Sequence, residues 1–297
     1  MTSSPLFSVI IPTYNRASFI RKTVESVTAQ KFGDFEIIII DDGSTDNTEE
    51  VLSGITDSRI HYIKTVNAER GAARNAGVKK AVGAYMTFLD SDDLLYPNHL
   101  STAFSFIQTN KEAVIFHLAY AIHDQMNGTS QRMPVIKNIN KQIIDGNMLS
   151  CSGIFIKKQA IVDNPFNEDR DMASLEDWEL WIRMSARYPF FYVNEVTSAL
   201  VLHADRSVIS DNSNKLKVKA DRFLKCIAAD EVNQKVYGML LTRTVSSLYM
   251  YTALHLAMAN GSLWDVVSYL KKGIVSNRGS LFTKRFLVIL KILAFRK

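Results

Sequence analysis

Four short apolar runs, each closed by a polar cluster, set the pattern of the first hundred residues. Residues 7–11 (FSVII), 36–40 (EIIII), 60–65 and 85–89 (YMTFL) are β-branched or aromatic and short enough to read as strands. Between them lie stretches with helical spacing. In 16–30, Phe19, Ile20, Val24 and Val27 recur on one face, and Gly33 ends the run. A second helix is expected from Asp46 to about Leu52, with Glu49 completing a capping box, and a third over 71–82. Strands that are apolar on both faces and alternate with helices predict a parallel sheet covered on both sides, an α/β architecture.

The polar clusters fall where such a sheet binds ligands, at the carboxyl ends of its strands. The first strand runs into Pro12-Thr13-Tyr14-Asn15, the second into Asp41-Asp42-Gly43-Ser44 and the fourth into Asp90-Ser91-Asp92-Asp93. Three carboxylates in one turn repel one another, and a divalent cation such as Mg²⁺ or Mn²⁺ relieves that cost. The alternative is a solvated turn whose Asp residues cap a helix starting near Pro97. No Walker lysine and no G-x-G-x-x-G occurs, so neither P-loop nor dinucleotide chemistry is indicated.

The pattern beyond residue 110 is less regular. Strands are expected over 113–122, 152–157 and 190–202, the last ending at His203. A polar mobile loop is expected over 124–140, and a helix carrying Trp178 and Trp181 follows Glu176-Asp177. After about residue 210 the pattern is wholly helical, with helices over 215–228, 232–259, 263–275 and 280–297. No internal repeat is evident.

Composition changes the picture in one place. The chain has 297 residues, is 47% hydrophobic and 22% charged, and suits a globular protein with an ample core. Its net charge of +5 is not evenly spread: residues 271–297 hold eight Lys/Arg and no acid. Removing these eight from the 35 basic residues leaves 27 against 30 acids, which argues against a nucleic-acid groove along the protein and for a surface partner at the C-terminus. Cys151 and Cys226 show no metal spacing and favour a reduced, cytoplasmic compartment. MTSSPLFSVII lacks a basic n-region, so no signal peptide is expected.

Five motifs in order, SVIIPTYNR, EIIIIDDGSTD, RGAARNAG, YMTFLDSDD and LEDWELWIR, strongly resemble the family 2 inverting glycosyltransferases of GT-A fold. The likeness covers roughly residues 5–210. It implies a catalytic domain over 1–210, with a nucleotide-binding half (1–110) and an acceptor half (111–210), followed by a helical region over 211–297. It implies that Pro12 and Tyr14 border the nucleobase, that Asp42 accepts the imide N–H of uracil or thymine, and that Arg74 approaches base or phosphates, with Arg70 competing for that role. Asp90, Ser91 and Asp92 match the family's D-x-D motif. Asp92 would ligate a Mn²⁺ or Mg²⁺ ion, Asp90 would hold the ribose or the metal's water shell, and His203 would complete the metal shell, a ligand better suited to Mn²⁺. Asp177 matches the general base.

Singly, each residue has a plainer reading: Asp42 as a turn residue before Gly43, Asp177 as a helix cap, Tyr14, Trp178 and Trp181 as packing, His203 as a structural histidine. The expected reaction is transfer from a UDP-sugar, or less readily a dTDP-sugar, to a glycan or lipid-linked acceptor in cell-surface polysaccharide synthesis. The competing classes are a sugar nucleotidyltransferase, which releases pyrophosphate rather than UDP, and a non-catalytic nucleotide-sugar-binding subunit. Finally, residues 286–295 (FLVILKILAF) are too short to span a bilayer. On a helix, Phe282, Phe286, Ile289 and Leu293 fall on one side and Lys284, Arg285, Lys291 and Arg296 on the other. That suits either an anionic membrane surface, placing the protein peripherally on the inner face of the cell membrane, or packing against protein.

Overall fold

The computed structural model describes residues 4–204 and 213–295. The boundary expected at residue 210 and the terminal Arg296 and Lys297 lie outside the described residues. The strands are β1 (Phe7–Thr13), β2 (Phe35–Asp41), β3 (Ile60–Lys64), β4 (Tyr85–Phe88), β5 (Leu94–Leu95), β6 (Ile115–Asp124), β7 (Thr129–Arg132), β8 (Ile154–Lys157) and β9 (Phe190–Leu202). The helices are α1 (Ile20–Thr28), α2 (Thr48–Ser53), α3 (Glu69–Lys80), α4 (His99–Thr109), α5 (Ile139–Gln142), α6 (Lys158–Asp163), α7 (Glu176–Ser185), α8 (Ser213–Ala229), α9 (Glu231–Tyr237), α10 (Leu241–Met258), α11 (Leu263–Ser276) and α12 (Lys284–Ala294). Two compact units separate, one drawn from Met1–Ile139, Leu149–Arg170 and Tyr188–Asp205, the other from Asn140–Met148, Asp171–Arg187 and Arg206–Lys297.

The first unit is built on one sheet of order β3-β2-β1-β4-β8-β6-β9-β5, with β7 on β6. From β3 to β4 every pairing is parallel, as the alternating pattern requires. Beyond β4 the sheet is mixed, for β8 runs antiparallel to both β4 and β6, and β5 to β9. Both faces of the parallel part are covered. Val9, Ile11, Ile37 and Ile39 pack with Ile20, Val24, Leu100 and Ala103 of α1 and α4. Ile10 points the other way, onto α3, where a Cβ on Gly77 would stand 2.4 Å from its Cγ2. Only glycine lets the helix approach that closely.

Two local expectations are corrected. The capping box at α2 does not form, because Glu49 reaches Lys64 on β3 (2.7 Å) while Asp46 alone bonds the helix start through Thr48 N (3.0 Å). The stretch 124–140 is not a plain loop: β7 pairs with β6 in a hairpin. All four β7 side chains are exposed, so no apolar alternation marked it.

His99 and His117 are fully buried in this unit, and burial pushes each imidazole down from 6.5 to about 3. A group depressed in the folded state gives stability that is complete above its unfolded value and is lost as pH falls. The unfolded chain takes up two protons that the folded chain refuses. Stability should therefore drop by on the order of 3 kcal/mol between pH 6.5 and 5, where carboxylates barely titrate. Chemical denaturation at both pH values measures it; a flat response would place charged histidines in the core.

The second unit is helical. Here 232–259 is not one helix, since Gly238 adopts a left-handed φ of 50° and a 3₁₀ turn (Gly238–Leu240) separates α9 from α10. Trp178 and Trp181 are buried, so neither offers a face to a sugar. Ile289 is fully buried and α12 packs on α10, which takes that side of the helix away from any membrane. The apolar residues left exposed are instead Phe282, Leu287, Val288, Leu290 and Phe295. No described helix is long and apolar enough to cross a membrane.

Candidate active site

Thr13 lies opposite Asp41 in the register of β1 and β2, and Phe88 opposite Ile10, so three polar clusters emerge on one rim of the first unit. The first two are locked together. Asn15, left-handed at φ 51°, donates its N–H to Ser44 Oγ (2.9 Å) and accepts from Thr45 N (2.8 Å). Arg16 N donates to Thr48 Oγ1 (2.9 Å) and Ala17 N to Asp46 Oδ2 (3.1 Å). Much of PTYNR and DDGSTDNT thus holds one loop to the other. Asparagine tolerates the left-handed conformation that the first loop needs. The same junction fixes Gly43, at φ 81°, where a Cβ would stand 3.1 Å from Asn67 N.

Pro12 is buried at the end of β1, and Tyr14 is 46% exposed beside it. Asp42 is buried and held by Ala68 N (2.7 Å), Glu69 N (2.9 Å) and Asn67 Nδ2 (3.1 Å). These donors fill three of roughly four acceptor positions of a carboxylate. Burial pushes the Asp42 carboxyl up, against the two backbone N–H bonds. Arg170 reaches the same loop through Asn67.

In the third cluster the carboxylates part company. Asp90 Oδ1 meets Arg74 Nη2 at 2.7 Å, and Arg74 is buried above the Phe166 ring. Asp92 Oδ2 lies 3.1 Å from His203 Nε2 and 3.7 Å from Arg16 Nε. Phe19 stacks on the His203 ring at 4.2 Å. Asp93 is a structural acceptor, taking Val201 N of β9 at 2.9 Å. Ser91 is buried, its carbonyl accepting from Thr23. His203 is thus brought to the acidic turn across 111 residues.

Whether this cluster fits a divalent metal follows from its donors. Asp92 and His203 present an oxygen and an imidazole nitrogen side by side, a set that suits Mn²⁺. No group of three His, Cys, Asp or Glu ligands forms among the described residues, and Asp90 is engaged by Arg74. Metals that work on phosphates keep waters and substrate oxygens and need only one or two protein ligands, so the pair fits.

Asp177 lies in the first turn of α7, in the second unit. Its Oδ2 accepts from Asn147 Nδ2 (2.8 Å) and its Oδ1 from Trp178 N (2.7 Å). Trp178 anchors the helix through Nε1 to Ile143 O (2.7 Å) and its ring on Phe223. Sequence reasoning gave no site role to Arg16, Asn67 or Arg170, and read Phe19 only as part of a helix face. Arg16 stands inside the quoted PTYNR motif, but nothing in a linear pattern says that its side chain meets Asp92.

The profile of glycosyl transferase family 2 matches residues 8–160, which hold β1 from Ser8 onward, β2 to β4 and the acidic turn. The chain belongs to that family. Among family relatives, the Escherichia coli UDP-Glc:alpha-D-GlcNAc-diphosphoundecaprenol beta-1,3-glucosyltransferase WfaP is 33% identical over 226 residues, 75% of this chain and 86% of its own. The chain spans 30% of the length of some other curated relatives, longer uncharacterized glycosyltransferases of Rickettsia. Two solved structures share the fold. Staphylococcus aureus TarS 1-349 in complex with UDP-GlcNAc aligns at TM-score 0.60 and 18% identity over 93% of each chain. Mannosyltransferase PcManGT from Pyrobaculum calidifontis, in complex with GDP-Man and Mn²⁺, aligns at TM-score 0.60 and 18% identity over 99% of this chain and 86% of its own. The family's GT-A fold is therefore the fold of this chain, followed by a helical C-terminal region.

Proposed function

We propose that the chain transfers a sugar from a UDP-sugar to a hydroxyl of a glycan or lipid-linked saccharide, with inversion at the anomeric carbon. The observation that carries this reading is the acidic turn, where Asp92 meets His203 and Arg16 while Asp90 meets Arg74. A merely structural turn has little use for two guanidinium groups, Arg74 buried and Arg16 partly buried, aimed at separate carboxylates. Uridine is favoured by the remaining acceptor capacity of Asp42 for an imide N–H, and by the UDP-Glc donor in the name of the E. coli relative. That name also favours a lipid-linked diphosphate acceptor.

Tyr14 offers an exposed ring to the base. Arg74 fixes Asp90 toward the ribose, and Arg16 stands beside Asp92 to balance phosphate charge. Asp92 and His203 would hold a divalent cation, Mn²⁺ or Mg²⁺, which when bound supplies Lewis-acid relief of charge on the leaving diphosphate. Asp177 takes the proton of the acceptor hydroxyl as its oxygen bonds the anomeric carbon and the bond to the diphosphate breaks, releasing UDP. The assignment of Asp177 rests on its place in LEDWELWIR. Catalysis would take place on the cytoplasmic side, at the inner face of the cell membrane if the acceptor is lipid-linked.

A panel of UDP-, dTDP- and GDP-sugars, assayed for nucleoside diphosphate release with Mn²⁺ and with chelator, tests the reading. Metal-dependent UDP release from one or more donors is expected. Pyrophosphate as the product would assign the site to nucleotidyl transfer, and no turnover of any donor would leave only a binding subunit.

A further inference from the structure

Asp42 is oriented by one turn, residues 67–69. Its Oδ1 accepts from Ala68 N (2.7 Å), and its Oδ2 from both Glu69 N (2.9 Å) and Asn67 Nδ2 (3.1 Å). Oδ2 is therefore filled, and the acceptor position left open is on Oδ1. Glu69 takes a left-handed φ of 74° to aim its N–H this way, a conformation that a glutamate keeps only where its surroundings hold it. Burial pushes the Asp42 carboxyl up, while the two backbone donors and the charge of Arg170 pull it back toward the ionised form that accepts.

Arg170 holds that turn from outside. Its Nη2 donates to Asn67 Oδ1 (3.0 Å) and to Asn67 O, and its Nη1 stands 3.8 Å from Glu69 Oε1. Asn67 Nδ2 also donates to Asp42 O (3.1 Å). With a guanidinium on Oδ1 and two acceptors on Nδ2, only one orientation of the Asn67 amide satisfies both ends. Arg170 is itself delivered to this place. Asn75 of α3, which is buried, accepts from Phe166 N (2.9 Å) and donates to Phe166 O (2.9 Å) and Glu168 Oε1 (2.8 Å), clipping the segment that leads to Arg170. All of these residues belong to the first unit. The Arg170 side chain is 58% exposed, so what it fixes is the turn and not the core. It also lies beyond residue 160, where the matched family profile ends.

We propose that Arg170 is a positioning residue for base selection: by fixing Asn67 it keeps Oδ2 of Asp42 filled and leaves the carboxylate one open acceptor. The inference rests on the uridine reading of Asp42. Uracil presents a single N–H between two carbonyls on its pairing edge, which one open acceptor fits. Cytosine presents an amine beside a bare ring nitrogen, and that nitrogen repels a carboxylate oxygen held opposite it. A carboxylate released from Asn67 has a second acceptor to offer and is free to turn toward the amine, so the preference for uracil falls.

The test uses the full chain with Mn²⁺: calorimetric titration with UDP and with CDP, steady-state kinetics with a UDP-sugar, and thermal unfolding. The parent should prefer UDP. Arg170→Gln should weaken UDP binding on the order of 10-fold, the size of one weakened charge-assisted hydrogen bond, and change CDP binding by about 2-fold or less. KM for the donor should rise with kcat retained, and Tm should hold, because the residue touches no reacting atom and lies outside the core. In an Asn67→Ala chain the same substitution should change UDP binding by about 2-fold or less, since the side chain it acts through is gone. Additive losses would overturn the inference, as would equal weakening of UDP and CDP, the mark of a charge acting on the diphosphate. A fall in Tm with the UDP preference intact would overturn it too, leaving Arg170 a structural brace of the turn that opens α3. A parent that binds UDP and CDP alike overturns the uridine reading itself. A parent that prefers UDP, with an Arg170→Gln chain that prefers it equally, overturns this inference alone.

Discussion

Asp177→Asn is expected to bind UDP about as well as the parent chain and to lose about 10²- to 10⁴-fold in kcat, the usual size of a general-base effect. The substitution keeps the shape of the side chain and an oxygen to accept from Trp178 N, which lies 2.7 Å from Oδ1. It replaces the other oxygen by an NH₂ facing the Asn147 amide, now 2.8 Å from Oδ2. A turn of the Asn147 amide presents its oxygen instead, so the start of α7 should survive. The plainer role, an acid favouring the positive end of the α7 dipole, is worth about 0.3–1 kcal/mol and predicts a small loss of Tm with kcat intact. Steady-state kinetics, UDP titration and thermal unfolding on one preparation separate the two. Retained kcat would remove Asp177 from the chemistry; lost UDP affinity would move it to donor binding.

The parallel half of the sheet was legible because its strands carry their own signal. FSVII, EIIII and YMTFL are apolar on both faces, and each ends in a cluster too polar for a core. Residues 190–202 were likewise read as extended up to His203, and β9 spans that range. What the pattern could not show was direction and partnership. Strands β8 and β5 pair antiparallel within the mixed half, and nothing in IFIK or LL encodes the direction of the neighbour. β7 was missed because an edge strand exposed on both faces has no alternation to read. α12 was read as one apolar side and one basic side. The structure buries Ile289 against α10 and leaves apolar residues outside as well, because a helix rich in apolar residues all round can be buried on any side.

The acidic turn illustrates the same limit at the site. Its acidic character was visible in the sequence, since Asp90, Asp92 and Asp93 stand within four residues. Their division of labour was not. Asp93 is spent on β9, Asp90 on Arg74, and Asp92 alone turns to His203 and Arg16. Those partners lie 16 to 111 residues away, beyond any local pattern.

That division makes Asp92 the carboxylate whose loss should matter most to metal dependence. Asp92→Ala is expected to lower donor turnover by about 10²-fold or more, because removing even an outer-shell partner of a metal typically costs 10–100-fold and a direct ligand should cost no less. Residual activity should no longer respond to chelator. The competing account is that Asp92 only holds His203 and Arg16 in place. It predicts destabilisation, since the substitution leaves a buried imidazole and a partly buried guanidinium without their shared acceptor, a loss of about 1–3 kcal/mol. His203→Gln divides the accounts further. It keeps a hydrogen bond to Asp92 but is a poorer ligand than imidazole, so a metal role predicts a raised Mn²⁺ midpoint with unchanged Tm, and a structural role predicts neither. Mn²⁺ titrations of turnover and thermal unfolding with and without Mn²⁺ supply both readouts. Wild-type turnover by Asp92→Ala in the presence of EDTA would sink the metal assignment, and with it the pairing of Asp92 and His203 as ligands.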